Sequence, residues 1–199
     1  MNLNDFNSLV DLFFYQTEKQ NPSSIFLEWL NPKNKKKLTW GETSSNIYKL
    51  AKILKENIVD GDRCLLVSEN RPEWLISDIA IMLANGITVP AYTTYTEKDY
   101  KYLIEDCQPS VIIVSNDEMH NKLKNIIKEK DFIKKVITFE KIQGADYNNK
   151  YLDFNFIIKN NLQTNDKFKN LDLKRNSPAC IIYTSGTSGD PKGVILSHG

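Results

Sequence analysis

With 199 residues, 41% of them apolar and 26% charged, the chain is long enough to bury a real core and has the composition of an ordinary globular protein. Lys and Arg number 26 against 25 Asp and Glu, and this net charge of +1 argues against a nucleic-acid binder, which needs a basic face. Cys64, Cys107 and Cys180 are odd in number and far apart, so neither a disulfide framework nor a zinc site is indicated.

The first residues, Met1 to Asp5, lack the basic start and apolar core of a signal peptide, and stretches such as Ile79 to Ala84 are far too short to span a bilayer. A soluble, cytoplasmic protein is expected. Phe6, Leu9, Val10, Phe13, Phe14 and Thr17 recur at helical spacing, which predicts a helix over Phe6–Glu18 capped by Asn4 or Asp5. Two strands, 25–30 and 37–40, flank an Asn-Pro-Lys-Asn turn, and Lys33, Lys35, Lys36 and Lys37 read as its solvated surface. Thr39 and Glu42 form a capping-box pattern ahead of the stripe Ile47, Leu50, Ala51, Leu54.

From Asp60 strands and helices alternate. Strands are expected at 63–68, 87–90, 111–114 and 136–139. Helices are expected from Pro72 to a stop at Gly86, from Thr96 to Cys107, and from Asp117 to about Lys130. The short, wholly apolar strands predict an α/β fold: a mainly parallel sheet with helices on both faces. Residues 141–176 carry only one helical signal, over Tyr151–Leu162. The stripe Leu123, Ile126, Ile127 reads as a face that covers the sheet, with weak peripheral membrane contact as the alternative.

Four of the eight glycines fall in the last fourteen residues. Two apolar strands, 179–183 and 193–197, enclose Thr184-Ser185-Gly186-Thr187-Ser188-Gly189-Asp190-Pro191-Lys192. Glycines let backbone N–H groups converge on an anion, hydroxyls add donors, and Lys192 adds a mobile charge, so the loop reads as a polyphosphate cradle. A plain solvated hairpin is the alternative. A Walker A loop is excluded, because a G-x-x-x-x-G-K-[ST] pattern begun at Gly186 would need Gly at 191 and Ser or Thr at 193, where Pro191 and Gly193 stand. No helix is signalled afterwards, so a helix dipole cannot contribute.

The run Tyr183 to Val194 resembles the phosphate-loop signature of the adenylate-forming (AMP-binding) enzymes, with Ser188 where that family more often has threonine and Leu196-Ser197-His198 following as usual. Upstream blocks occur in the same order as in those enzymes: Leu38 to Glu42, Asp60 to Arg63, Ser68 to Trp74, and Gly86 to Tyr92. The Asn70–Trp74 and Val89–Tyr92 blocks are most similar to the bacterial long-chain fatty acyl-CoA synthetases. On their own, Trp40 and Trp74 read as packing residues and 70–73 as a strand-to-helix turn with a cap.

The resemblance implies that residues 1–199 are the first part of the large N-terminal domain of such an enzyme. On that reading they end just after the phosphate loop at 183–194, and the C-terminal domain is absent from this sequence. It implies a fatty acid, ATP and CoA as small-molecule substrates, with Mg²⁺ assisting. Thr184, Ser185, Gly186, Thr187, Ser188, Gly189 and Lys192 would hold the ATP phosphates, and Thr184 would lie near Mg²⁺. No catalytic residue is assigned within these residues. The alternatives are an adenylating ligase for an aryl or amino acid, and a non-catalytic nucleotide-binding or interaction module. His198 could approach the loop or simply pack, and His120 has no nameable partner. These 199 residues alone are expected to catalyse neither step; acyl-adenylate made by the purified chain, looked for by mass spectrometry, overturns this.

Overall fold

The computed structural model describes residues 2–30, 35–147, 149–160, 173–184 and 190–199. A 3₁₀ turn (Leu3–Asp5) leads to α1 (Leu9–Lys19), a hairpin of β1 (Ile25–Trp29) and β2 (Lys36–Thr39), and α2 (Trp40–Lys55). There follow β3 (Arg63–Val67), α3 (Pro72–Leu83), β4 (Ile87–Ala91), α4 (Glu97–Cys107), β5 (Val111–Val114), α5 (Asp117–Glu129) and β6 (Lys135–Thr138). β7 (Tyr151–Asp153), α6 (Phe154–Lys159), β8 (Pro178–Thr184) and β9 (Lys192–Ser197) complete the described chain.

Seven strands form one sheet in the order β7-β6-β5-β3-β4-β8-β9, parallel except for β9, which returns antiparallel to β8. The expected mainly parallel sheet with helices on both faces is therefore present. From β3 the chain steps to β4 on one side, then crosses back to β5 and β6 on the other. Crossovers of one hand must then put α3 on one face and α4 and α5 on the opposite face. The core divides accordingly. Cys64, Leu66, Val111 and Ile113 join the α2 and α3 side chains, whereas Leu65, Val67, Ile112 and Val114 join those of α4 and α5. The Leu123, Ile126, Ile127 stripe of α5 is consumed in this second cluster, so that face is not free for a membrane. Among the described residues no helix is long and apolar enough to cross one.

Several ends differ from expectation for local reasons. Helix α1 begins later, because the hydroxyl of Ser8 accepts the Asp11 N–H at 3.1 Å and supplies the cap. The residues before it are held instead by Arg175, whose Nη1 donates to the carbonyls of Leu3 (2.8 Å) and Phe6 (3.0 Å). At the end of α3 the left-handed residue is Asn85 (φ 64°), not Gly86. Gly86 is needed for close approach: a Cβ there would lie 2.9 Å from Ile58 Cδ1 and 3.1 Å from Ile81 Cγ2. The helix expected over Tyr151–Leu162 starts as strand β7 and becomes helical only at Phe154, where the Asp153 carboxylate accepts the Asn155 N–H at 2.8 Å; Leu162 lies outside the described residues. The Thr39–Glu42 capping box is present, and Ile47, Leu50, Ala51 and Leu54 are all buried beneath α2. Thr96 and Asp99 make a second capping box on α4 that the sequence reading passed over.

The lysine run is not simply solvated. Lys33 lies outside the described residues and Lys37 pairs with Glu28 at 3.0 Å, but Lys36 Nζ reaches the buried Glu73 at 2.7 Å. Arg71 Nε donates to the other Glu73 oxygen at 2.9 Å, and its Nη1 reaches Glu140 at 2.9 Å. The Arg71 guanidinium also lies 4.7 Å from the Trp29 ring centroid and 5.4 Å from that of Phe139. Arg71 therefore makes no side-chain cap for α3; it joins the hairpin, the α3 N-terminus and the segment after β6. Burial alone would push the Glu73 carboxyl up, but the bonds from Arg71 and Lys36 outweigh it and hold the group below its ordinary value of 4.5.

Because the folded-state value is depressed, the contribution of Glu73 is intact above pH 4.5 and is lost as pH falls below that through the folded value. Denaturant titrations from pH 7 to 3 should show this loss in the native chain and a flatter profile in Glu73→Ala. At neutral pH the variant, which strands Arg71 and Lys36, should be about 3 kcal/mol less stable.

Candidate functional site

Parallel strands deliver their C-terminal ends to one edge of the sheet, and ligand sites in open α/β sheets form there. At the ends of β3, β4 and β8 lies a cleft of about 560 Å³ lined by Ser68, Glu69, Asn70, Trp74, Tyr92 and Tyr183, among others. Its floor, 68–70, is tied to the start of α5, where Asn116 Nδ2 donates to Glu69 Oε1 at 3.0 Å. Its rim is braced twice. The Tyr100 hydroxyl, from α4, donates to the Tyr92 carbonyl at 2.7 Å, and Lys122 Nζ, from α5, donates to the Thr93 carbonyl at 2.7 Å. Tyr100 is fully buried, and burial raises its hydroxyl pKa, so it serves as a neutral donor.

β8 forms the third wall through Ile182 and Tyr183, and the glycine-rich run lies between it and β9 in sequence. The last register pair is Thr184 with Lys192, so a hydroxyl and an exposed ammonium flank the two ends of the intervening residues on one face of the hairpin. Of the residues expected to bind phosphate, the structure thus pairs Thr184 with Lys192, one residue beyond Tyr183 of the cleft lining. Ser185, Gly186, Thr187, Ser188 and Gly189 lie outside the described residues. Among the described residues no group of three or more His, Cys, Asp or Glu is placed to hold a metal ion. Thr184 offers a single hydroxyl, which suits Mg²⁺ only when the rest of its shell comes from phosphates and water.

On the opposite face, Tyr183 pairs with Gly193 across the hairpin, and its hydroxyl reaches past to Asp106 Oδ2 at 2.5 Å. Burial, followed by the bond to the Asp106 carboxylate, raises the Tyr183 pKa, so this hydroxyl too stays protonated and donates.

His198 does not approach the cleft. β9 runs away from the glycine-rich end for about 20 Å of extended chain. At its far end His198 is buried, with Nδ1 accepting the Leu9 N–H at 3.4 Å. His120 does have a partner, the Tyr151 hydroxyl at 2.8 Å, and burial lowers its pKa. All three cysteines are free, and burial raises their thiol pKa values, that of Cys107 to about 12; none is an activated nucleophile. The sequence reading missed the cleft-lining roles of Trp74 and Tyr92. Trp74 packs on the core as expected and lines the cleft as well. Tyr92 directly follows β4, and Trp74 lies in the first turn of α3, the helix after β3; those positions at strand C-terminal ends were the available signal.

The family model described as AMP-binding enzyme matches residues 14–199. The long-chain-fatty-acid–CoA ligase ACSBG2 of Mus musculus is 31% identical over 176 residues, covering 85% of this chain and 26% of the relative. ACSBG2 of Rattus norvegicus is 33% identical over 132 residues, 65% of this chain and 20% of the relative. The chain thus spans about a fifth to a quarter of these relatives' length. Among solved structures, the anthranilate CoA ligase AuaEII in complex with anthranoyl-AMP superposes with a TM-score of 0.81 at 22% identity, over 100% of this chain and 36% of that one. A luciferase-like enzyme from the nonluminescent mealworm Zophobas morio also gives 0.81, at 20% identity over 100% and 44%. At such identities these two structures show a shared fold.

A Cβ at Gly193 would lie 2.9 Å from Ile181 Cγ2 and 3.2 Å from Tyr183 Cζ, a ring held in place by Asp106. Gly193→Ala should therefore lower stability by about 1–3 kcal/mol in chemical denaturation. A native midpoint would mean that the ring yields freely.

Proposed function

The chain belongs to the AMP-binding enzyme family, and from that membership we propose that it is the ATP-phosphate-binding part of an AMP-forming acid–thiol ligase acting on long-chain fatty acids. The observation that carries the reading is the Thr184–Lys192 pair, which flanks a Ser, Thr and Gly run at the cleft edge of the sheet. The choice of acid rests on the names of the relatives.

In the proposed reaction a fatty-acid carboxylate oxygen attacks the α-phosphorus of ATP, and the bond to the bridging oxygen of the β-phosphate breaks, releasing pyrophosphate. The thiol of CoA, losing its proton, then attacks the acyl carbon and AMP leaves. Negative charge gathers on the departing pyrophosphate, so the first step needs fixed donors around the β- and γ-phosphates. Lys192 supplies a positive charge there. Thr184 supplies a hydroxyl, with Ser185, Gly186, Thr187, Ser188 and Gly189 proposed to add N–H and O–H donors. Mg²⁺, when bound, would neutralise phosphate charge, and Thr184 is proposed as the residue that would help hold it. Lys192 binds and orients and forms no covalent bond.

In the complete enzyme, Lys192→Ala should reduce fatty-acid-dependent ATP–pyrophosphate exchange by about tenfold or more, the worth of a charge-assisted hydrogen bond. Unchanged exchange would sink the assignment. Exchange driven by benzoate or an amino acid and not by palmitate would keep the phosphate site and overturn the acid.

A further inference from the structure

We infer that α4 is a clamp that fixes both ends of the phosphate loop against the cleft, with Tyr102 and Asp106 as positioning residues. The inference deepens the proposed function and rests on its reading of 183–194 as the phosphate loop.

Tyr102 and Asp106 stand four residues apart on α4 and so share one helix face. Each holds one side of the hairpin. The Tyr102 hydroxyl donates to the Pro191 carbonyl at 2.9 Å, just before β9 begins. The Asp106 carboxylate accepts the Tyr183 hydroxyl, one residue before β8 ends. The β8–β9 ladder has its last pair at Thr184 and Lys192, so these two side-chain bonds grip the chain where it leaves and rejoins the sheet. Gly193 permits the second grip, because only a residue without a Cβ lets the Tyr183 ring lie across β9 toward α4.

The helix is a firm anchor. Tyr100, Leu103, Ile104 and Cys107 are buried in the core, and a capping box closes its start. Through Tyr100 the same helix also holds the cleft rim at Tyr92. One rigid element therefore sets the rim and both loop ends in a common frame. A hairpin stem held on both strands has less conformational freedom to lose when phosphate binds, so its affinity for phosphate is higher than that of a free hairpin. Neither Tyr102 nor Asp106 is needed to touch the nucleotide.

The test uses the complete enzyme with Tyr102→Phe, Asp106→Ala and Asp106→Asn. Amide hydrogen exchange over 183–194 is followed with exchange in α2 and α3 as reference, and KM for ATP is measured beside kcat. Tyr102→Phe removes one neutral hydrogen bond. It should raise KM for ATP about fivefold, leave kcat within about twofold, and speed exchange in 183–194 alone. Asp106→Asn, which still offers Tyr183 an acceptor, should be milder than Asp106→Ala. Native exchange over 183–194 in Tyr102→Phe overturns the clamp, as does faster exchange spread equally through α2 and α3. Failure of the phosphate reading looks different: the unmutated enzyme would then bind no ATP, while Tyr102→Phe would still loosen 183–194.

Discussion

Everything in this structure follows from strands β3 and β5, whose apolar residues are buried on both faces of the sheet. A parallel pair of this kind cannot leave either side to water, so the chain must lay helices on both. It does so by reversing direction after β4, which separates α3 from α4 and α5. The same reversal brings the strand ends of β3, β4 and β8 to one edge with loops free to diverge, and the cleft is the space left between them.

Two of the buried polar side chains, Glu73 and Tyr183, join separate layers. Glu73 would be costly to desolvate alone, and it is retained with two cations, Lys36 and Arg71, the guanidinium of the second lying over the rings of Trp29 and Phe139. That arrangement ties a peripheral hairpin to the sheet, directly behind the loop that floors the cleft. Tyr183 does the comparable task on the other side. Its ring belongs to the core while its hydroxyl is spent on α4, so the hairpin stem is packed and bonded at once.

Anion sites in α/β proteins commonly use a helix N-terminus, whose unpaired N–H groups and dipole meet the phosphate. Here a strand, β9, follows the glycine-rich run, so on the proposed reading no helix after the run contributes such a field, and the site would rely on donors in the loop and on Lys192. Loop donors act strongly only if they are held in place, because each freely rotating group must be ordered on binding. On the proposed reading, the side-chain bonds from Tyr102 and Asp106 of α4 would answer that need.

Much of this was readable before the structure. Short apolar strands separated by amphipathic stretches specify the layers, since burial depends on which residues alternate and at what period. The Thr39–Glu42 capping box and the Pro72 helix start are local, and local chemistry is written in adjacent residues. The Tyr183–Val194 pattern likewise marked the loop and, with the blocks upstream, its family. What the sequence could not determine alone is whatever depends on residues far apart in the chain. The meeting of Lys36 with Glu73, the partner of His120, the separation of His198 from the cleft and the hold of α4 on the hairpin all arise from strand order. Strand order is decided by the tertiary packing of the whole sheet, because equally apolar strands satisfy the same local rules in many arrangements and only the covered two-faced assembly buries them all.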